Sequence, residues 1–455
     1  MIEERYELPE GWEWLPLGSL ADYINGRAFK PSEWESEGLP IIRIQNLTNP
    51  TAKFHYYSQA IEEKYHVENG DLLISWSATL DAFIWHRGPA VLNQHIFKVR
   101  ENSNLVERRY LFHAIRAHLE SLKSQVHGSG MQHITRGPFE ATEIPIAPLP
   151  DQRRIVAQIE SLFSQSRAAR VALDRIPPLL KKFRQSVLAS AFRGDLTERD
   201  PNDEPASILL EHIRAERRSK WEADLRAKGK DPTQAKYVEP EPPDTSGLPE
   251  LPEGWVWTTL GLLANIRNGV TKGRDLQGAK TIEVPYLRVA NVQSGYLDLT
   301  VVKTIAIKTD ELPKYRLEPN DILFIEGGDR DKLGRGTVWH NEIENCIHQN
   351  HIHCARLYSQ AVNPNWISLA SQLPYARDYF WDVASQTVNL ASLNATSLKA
   401  LAIPLAPVNE QQRILVSIKT FFAQADAIEQ AVALARNRVE KLDQSILARA
   451  FRGEL

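Results

Sequence analysis

Apolar and small residues recur along residues 414–450 at steps that alternate between four and three, close to a heptad repeat. The same pattern occurs 259 residues earlier, over residues 155–191. It predicts two long helices that share a register and pack on each other; the alternative is that each lies only on its own globular half. The predicted seam residues are Ile155, Ile159, Leu162, Leu173, Ile176, Leu180, Phe183, Val187, Ile414, Ile418, Phe421, Ile428, Val432, Val439, Leu442 and Ile446.

These helices belong to a repeat that covers most of the chain. LPEGW at 8–12 recurs at 251–255, PIIRIQNL at 40–47 matches PYLRVANV at 285–292, and IPIAPLPDQRRI at 144–155 matches IPLAPVNEQQRI at 403–414. The offset grows from 243 to 259 and then stays constant from 151–196 to 410–455, where 18 of 46 positions are identical. The sequence therefore indicates a duplication whose helical parts do not tolerate insertions.

The repeat divides the chain into five segments. Two globular domains of the α+β class are expected at residues 1–150 (head 1) and 251–408 (head 2), with a quasi-two-fold relation between the repeats. Residues 151–196 and 409–455 are the predicted long helices, and residues 197–250 form a linker with a short charged helix and a proline-rich end. Pro177 and Pro178 are expected to kink or break the first helix.

Composition narrows the functional class. The chain has 54 Lys and Arg against 57 Asp and Glu, so it is not a protein that coats nucleic acid through overall positive charge. Residues 151–196 nevertheless carry nine basic and four acidic side chains. Two cysteines, an acidic N-terminus and the lack of a long apolar run predict a cytoplasmic protein with no signal peptide or membrane contact.

The motifs of self-contained catalysis are missing. No GxxxxGK[ST] phosphate-binding loop occurs, and NPNW at 363–366 lacks the second proline of the NPPF-type methyltransferase motif. CIHQNHIHC at 346–354 contains metal-ligand residue types, but we expect one extended strand there, which would separate its two cysteines by about 26 Å. We therefore predict no metal site and no catalytic residue, and expect catalysis to reside in a partner.

Two different heads on a helical spacer suit the recognition of two separated sites. About 36 residues of seam give roughly 54 Å of helix at 1.5 Å per residue. One turn of DNA spans about 34–36 Å. Because the two heads differ in sequence, such a protein would recognise an asymmetric target made of two half-sites.

The repeated motifs also carry a family resemblance. LPEGW opening each half, IPxxPLxxQ before each helix, FRG(D/E)L closing each helix and RIPPLLKKFRQSVLASAFRGDLTE at 175–198 resemble the specificity subunits of type I restriction-modification systems. The resemblance implies two target recognition domains and two conserved helical regions packed as an antiparallel coiled coil. It also implies double-stranded DNA, two methyltransferase (modification) subunits and restriction or translocase subunits as partners. S-adenosylmethionine would bind in the methyltransferase, which methylates adenine N6, and this chain would hold no cofactor.

Two other functions stay open at this point. One is a duplicated protein-binding scaffold without DNA contact, and the other is a self-contained DNA-modifying enzyme. For the DNA-recognition hypothesis we chose polar side chains in loops, since such residue types suit base edges and phosphates. The candidates in head 1 are Arg27, Lys30, Asn93, Gln94, His95, Ser129, Gln132, His133 and Arg136, and those in head 2 are Thr271, Lys272, Arg274, Arg330, Lys332, Arg335, Gln386, Asn389 and Ser392.

Overall fold

The computed structural model describes residues 6–77, 79–119, 122, 134–386 and 391–455, except the side chain of Gln386. It contains two compact units: the first comprises Met1–Ile176 with Gln430–Leu455, and the second comprises Pro177–Glu429. Each unit thus holds one head and a part of both long helices. Within the described residues, no helix combines the length and the apolarity that a membrane span requires.

The first unit is built on two four-stranded sheets. One has the antiparallel order β2-β9-β6-β7, and the other has the order β4-β3-β8-β5 with β3 and β8 parallel. A separate ribbon pairs β1 with β10. Its strands are β1 (Glu13–Pro16), β2 (Ala21–Asn25), β3 (Leu39–Ile42), β4 (Tyr56–Tyr57), β5 (His66–Val67), β6 (Leu72–Ser75), β7 (Asp81–Ile84), β8 (Ala90–Leu92), β9 (Ile96–Glu101) and β10 (Glu143–Ile146). Its helices are α1 (Leu17–Leu20), α2 (Ile44–Thr48), α3 (Arg108–Ala117), α4 (Arg136–Ala141) and the start of the long helix α5 (Leu149–Ala191).

The second unit repeats this plan with small additions. Its sheets have the orders β12-β19-β15-β17, β14-β13-β18 and β16-β21-β20, and a ribbon pairs β11 with β22. The strands are β11 (Val256–Thr259), β12 (Ala264–Asn268), β13 (Thr281–Leu287), β14 (Lys303–Lys308), β15 (Ile322–Ile325), β16 (Gly327–Gly328), β17 (Gly336–Val338), β18 (Ile347–His348), β19 (Ile352–Leu357), β20 (Ser385–Gln386), β21 (Ala391–Ser392) and β22 (Ala402–Leu405). The helices are α6 (Ala206–Ala227), α7 (Leu260–Leu263), α8 (Leu312–Tyr315), α9 (Pro364–Ala370), α10 (Pro374–Val383), α11 (Ala395–Ala400) and the start of the long helix α12 (Val408–Ala450).

Equivalent polar contacts show how closely the two units correspond. The buried side chain of Asn46 accepts a hydrogen bond from the Arg43 amide at 3.1 Å, and Asn291 accepts one from the Arg288 amide at 2.9 Å. Each asparagine also donates to backbone carbonyls of the following loop. A buried amide that satisfies several backbone groups fixes the turn around it. The repeated Arg-x-x-Asn spacing is therefore structural at its asparagine.

The IPxxPLxxQ motif marks the entry into each long helix. Gln152 donates from Nε2 to the Ala147 carbonyl at 2.8 Å, and Gln411 donates to the Ala406 carbonyl at the same distance. Both glutamines are buried. Each glutamine thus supplies a hydrogen-bond donor to the carbonyl that follows the second strand of the β-ribbon. This contact explains why the motif has an amide side chain at this position.

The two long helices pack antiparallel within each unit. In the first unit, Arg170 donates to Asp443 and Arg436 donates to Asp174, each at 2.6 Å. Residue numbers therefore rise along one helix as they fall along the other. In the second unit, the Arg184 guanidinium lies 2.9 Å from the Glu429 carboxylate. Exposed ion pairs of this kind contribute little to stability, and they act mainly on register.

The seam is buried or half-buried along most of its length, but it is more open than the heptad pattern predicts. Phe183, Ile428 and Leu442 are 39%, 48% and 46% exposed. Phe183 and Leu442 occupy equivalent positions of the repeat, 259 residues apart. Two helices alone cannot enclose every seam position, because a side chain that turns outward finds no third layer. The helix ends are buried better because they enter the cores of the heads.

Two expectations from the sequence are corrected. Helix α5 is continuous from Leu149 to Ala191, so Pro177 and Pro178 do not break it, and a kink at these prolines stays a prediction. Residues 346–354 are not one extended strand, since the chain turns between β18 and β19. This turn brings Cys346 and Cys354 into one apolar cluster, where burial raises the pKa of the Cys346 thiol to about 12. Over the described ranges, no group of three or more His, Cys, Asp and Glu side chains is arranged to hold a metal ion.

Each head is closed by the end of the long helix from the other repeat. Phe451, just after α12, packs against Tyr110 of head 1 with ring centroids 5.1 Å apart. Phe192, just after α5, packs against Trp366 of head 2 at 4.4 Å. Tyr110 and Trp366 are themselves fixed, since each donates a hydrogen bond to the carbonyl of the ribbon proline at 2.9 and 2.8 Å.

A glycine follows each of these phenylalanines and meets the proline of LPEGW. Gly453 has φ +75°, and a Cβ placed on it would lie 2.2 Å from Pro9 Cγ. Gly194 has φ +78°, and its Cβ would lie 2.9 Å from Pro252 Cγ. The left-handed backbone and the close approach both require glycine. The two motifs that recur most clearly in the sequence therefore contact each other, crosswise between the repeats.

We expect Gly453→Ala to lower the free energy of unfolding by about 2 kcal/mol or more. Roughly 1 kcal/mol comes from a side chain at positive φ, and the rest comes from overlap with Pro9. The measurement is urea unfolding of the full chain followed by near-UV circular dichroism. The control is Gly229→Ala, where φ is +69° and no atom lies within 4 Å of the added Cβ. Equal losses in both variants would contradict a role for the proline contact.

Glu410 is a buried carboxyl group in the first turn of α12. Its side chain is 2% exposed, Oε2 accepts a hydrogen bond from Trp255 Nε1 at 3.0 Å, and Oε1 has no partner among the described residues. Burial raises the pKa of Glu410, although the hydrogen bond from Trp255 and then the Arg413 guanidinium, which is paired with Asp203, oppose that rise. The charged form is therefore less favourable in the folded chain than in the unfolded chain.

This difference predicts a dependence of stability on pH. Below about pH 4, the carboxyl group is protonated in both states. As pH rises, the unfolded chain loses the proton first, and the wild type loses stability until pH passes the raised pKa. We expect Glu410→Gln, which stays neutral, to gain stability relative to the wild type from pH 4 to neutral pH, as measured by urea midpoints.

The matched control is Asp151→Asn, at the equivalent position of α5, where the carboxylate is 45% exposed. A difference between Glu410→Gln and the wild type that stays constant with pH would contradict this explanation. An equal growth with pH of the difference in urea midpoint between Asp151→Asn and the wild type would also contradict it.

Candidate nucleic-acid interface

Backbone hydrogen bonds join separate segments of head 1 at one end of the sheet β2-β9-β6-β7. Arg27 and Asn93 form a parallel bridge, and the Gln94 amide donates to the Arg27 carbonyl at 2.9 Å. The Trp76 amide donates to the His95 carbonyl at 3.2 Å. We call this meeting point the junction of head 1, and it consists of residues 26–27, 76, 93–95 and 134.

Head 2 contains the same arrangement. Val270 and Gln349 form the parallel bridge, and the Asn350 amide donates to the Val270 carbonyl at 3.0 Å. The Glu326 amide donates to the His351 carbonyl at 3.0 Å. The junction of head 2 consists of residues 269–270, 326, 349–351 and 393.

A fourth segment enters each junction from a loop near the end of the head. The Ile134 amide donates to the Trp76 carbonyl at 3.2 Å, and the Leu393 amide donates to the Glu326 carbonyl at 2.7 Å. Trp76 and Glu326 are thus held through both their backbone groups. The junctions bring together three segments of head 1 that the sequence suggested separately: the loop after residue 26, the turn at 93–95 and the end of 127–136.

One glycine makes each junction possible. A Cβ on Gly26 would lie 2.0 Å from the Asn93 carbonyl oxygen, and one on Gly269 would lie 2.1 Å from the His348 carbonyl oxygen. No side chain fits at such distances, so the backbones can cross there only at glycine.

Although the backbone is shared, the side chains of the junctions differ. In head 1, Trp76 donates from Nε1 to Asn25 Oδ1 at 3.3 Å and packs edge-on to His95, with ring centroids 4.9 Å apart. In head 2, His351 Nδ1 lies 2.7 Å from Glu326 Oε2, and Ser392 Oγ lies 3.5 Å from Glu326 Oε1. One frame therefore presents an aromatic indole in head 1 and a carboxylate in head 2.

Three polar atoms of the head 1 junction are buried without a hydrogen-bond partner in the described part of the chain: Arg27 Nη1, Asn93 Oδ1 and His95 Nδ1. His95 also has φ +70°. Unsatisfied polar atoms and a positive φ at a non-glycine residue both carry a cost, and they cluster at functional sites.

Several predicted residues of head 1 have structural roles or lie elsewhere. Arg27 is paired with Glu33 at 2.5 Å, and its guanidinium lies over the rings of Phe29 and Tyr57. Arg136 is paired with Glu140 at 2.7 Å. Lys30 and Gln94 are exposed. Ser129, Gln132 and His133 lie outside the described residues.

The predicted residues of head 2 divide in the same way. Arg274 binds Glu311 through both guanidinium nitrogens, at 2.8 and 2.9 Å, so it orders the loop. Thr271 and Lys272 are exposed, and Ser392 lies beside Glu326. Asn389 and the side chain of Gln386 are outside the described part.

The basic loop between β16 and β17 lies beside the junction of head 2. Arg330 is paired with Asp378 and Lys332 with Asp329, each at 2.7 Å, and the pairs are half-exposed. Arg335 donates to the Val292 carbonyl at 3.1 Å. Arg330 and Lys332 thus each face an aspartate, and these exposed pairs are weak.

Trp76 and Glu326 were missed at the sequence level. The repeat aligns ENGDLLIS at 68–75 with EPNDILFI at 318–325, and these two residues occupy the next position of that alignment. The signal is a buried strand followed directly by side chains of opposite chemistry, and it could have been found by extending the alignment by one residue.

A family model for the type I restriction modification DNA specificity domain matches residues 9–170 and 252–434. The chain belongs to this family. The specificity subunit of the type I restriction enzyme EcoBI from Escherichia coli is 28% identical over 450 residues, covering 98% of this chain and 86% of the relative. The EcoKI specificity subunit from Escherichia coli K12 is 25% identical, covering 99% and 90%.

Solved structures share the fold of this specificity-family chain. The HsdS subunit of Thermoanaerobacter tengcongensis matches over the whole of both chains with a TM-score of 0.58 and 19% identity. A chain from a study of complex assembly and conformational transition of the type I R-M system covers 99% of this chain, with a TM-score of 0.67 and 20% identity. The likeness supports the α+β class with two sheet-bearing heads and paired long helices.

We expect Gly26→Ala to open the junction of head 1. The amides of Gln94 and Trp76 should exchange with solvent roughly tenfold faster or more, since a local loss of about 1.4 kcal/mol has that effect. Hydrogen–deuterium exchange with mass spectrometry measures this on the full chain. The control is Gly137→Ala, where an added Cβ meets nothing within 4 Å. Unchanged protection at Gln94 and Trp76 would contradict the close crossing.

Proposed function

We propose that this chain recognises a bipartite, asymmetric DNA target and directs the chemistry of partner subunits to it. The observation that carries the proposal is the pair of junctions, where one backbone frame presents different side chains in the two heads. Two frames of one design suit two half-sites of duplex DNA, and their different side chains suit two different base sequences. Family membership supports the same function.

The charge distribution favours DNA binding by this chain together with its partner subunits. Head 1 carries 14 basic and 19 acidic residues, and the whole chain has a net charge of -3. Attraction to phosphates supplies most of the nonspecific affinity of DNA-binding proteins. In this proposal, the heads supply base recognition and the partner subunits supply much of the positive charge around the duplex.

The long helices are the proposed docking surface for two methyltransferase subunits. Val171, Leu179, Val416 and Leu434 are large apolar side chains on these helices, and each is more than half exposed. A helix pair with apolar side chains on its outer surface is suited to burial by partners. In the proposal, a methyltransferase with bound S-adenosylmethionine flips an adenine and methylates N6, and restriction subunits join the larger complex.

The test is methylation mapping in a bacterial host that lacks other adenine methylation. We expect methylated adenines at one bipartite motif only when this chain and its neighbouring methyltransferase are expressed together. Exchange of residues 1–150 for another head 1 should change one half-motif and leave the other unchanged, because each junction lies within its own head.

Three outcomes would contradict the proposal. Methylation by this chain alone would indicate a self-contained enzyme. The absence of any methylated motif from a purified, assembled complex would favour a scaffold without DNA contact. A methylated motif that is unchanged after the exchange of head 1 would mean that head 1 does not determine the recognised sequence.

A further inference from the structure

Glu326 occupies a position of the junction of head 2 that is held through both its backbone groups. It follows β15, whose four residues are all buried. Its amide donates to the His351 carbonyl and its carbonyl accepts from the Leu393 amide, so two other chain segments fix its backbone. A side chain on such a support is held in place before any ligand arrives, which favours selective binding.

The carboxylate of Glu326 is only partly satisfied. Oε2 lies 2.7 Å from His351 Nδ1, whereas the closest described hydroxyl to Oε1, that of Ser392, lies at 3.5 Å. The side chain is 26% exposed. A carboxylate oxygen accepts two hydrogen bonds, so Oε1 retains acceptor capacity on an accessible side.

A negative charge is unfavourable at a surface that approaches phosphates, unless it makes a specific contact. Of the groups that DNA displays in its grooves, a carboxylate can pair only with donors, and the major-groove donors are the exocyclic amines of cytosine and adenine.

We infer that Glu326 determines specificity in head 2 by accepting a hydrogen bond from the exocyclic amine of a cytosine or adenine in the second half-site. His351 is the positioning residue, because its Nδ1–H orients the carboxylate. The inference rests on the proposed function and names one of its contacts. Trp76, the equivalent of Glu326 in head 1, has only an N–H donor in its ring, so the side chain at this position of head 1 cannot make the contact.

The experiment uses the complex of the full chain with its methyltransferase. Methylation is mapped for the wild type, for Glu326→Gln and for the control Glu283→Gln, which changes an exposed glutamate on β13 of the same head. The amide of Glu326→Gln has nearly the shape of the carboxylate, but it adds a donor. We expect discrimination to fall by about tenfold at one base pair of the second half-motif, with the first half-motif and the control unchanged.

Binding to modified duplexes identifies the amine. Each cytosine of the second half-site is replaced in turn by 2-pyrimidinone, and each adenine by purine, so that one exocyclic amine is removed at a time. We expect one replacement to weaken binding by the wild type about tenfold and to have no effect on Glu326→Ala. The replacement that weakens binding identifies whether cytosine or adenine is the partner of Glu326.

The outcomes separate this inference from the proposed function. If the wild type methylates a bipartite motif and both Glu326 variants keep every base preference, the inference is overturned while the function stands. A preference lost in the first half-motif also overturns it. If Glu326→Gln stops methylation, we measure its binding to duplexes that carry each of the four bases at each position of the second half-site. Base preferences equal to those of the wild type would then contradict the inference. A wild-type complex that methylates nothing contradicts the function itself.

Discussion

The packing of Phe451 on Tyr110, and of Phe192 on Trp366, ties each head to the end of a helix that belongs to the other repeat. Each helix starts beside its own head and ends in the core of the other unit, so the two helices must run in opposite directions. The glycine–proline contacts and the buried glutamines at the helix starts fix both ends of this exchange. The constant offset of the helical repeats follows, because an insertion in one helix would move its last turn out of the core that it closes.

The sequence predicted the elements that depend on local pattern and repetition. The long helices, their shared register and the polar loop after residue 26 could be inferred because heptad spacing and glycine-rich turns leave a direct mark on the chain. The bend between β18 and β19 could not be inferred, since alternation alone does not distinguish one strand from two. The pairing of Arg27 with Glu33 was also out of reach, because a charged loop residue gives the same pattern whether it faces a ligand or another side chain.

The sequence likewise predicts only part of the candidate site. Segments were identifiable from their polar and glycine content, but their meeting point depends on tertiary hydrogen bonds between residues as distant as Trp76 and Ile134. Residue type alone does not single out Trp76, because a tryptophan usually indicates core, and it does not distinguish Glu326 from other glutamates of the chain. Comparison of the two heads, position by position, is more informative: the backbone positions that stay fixed while side-chain chemistry changes are the ones suited to discrimination.

The exchange of helix ends also orders the biosynthesis of the chain. The core of head 1 includes Ile446, Leu447 and Phe451, which are made about 300 residues after the last strand of that head. At roughly 5–20 residues per second, the ribosome takes on the order of 15–60 s to reach them. During that interval, Tyr110 and its neighbours lack the side chains that cover them. A chain released before residue 446 therefore has an unfinished head 1, whereas the residues that close head 2 precede that head in the chain.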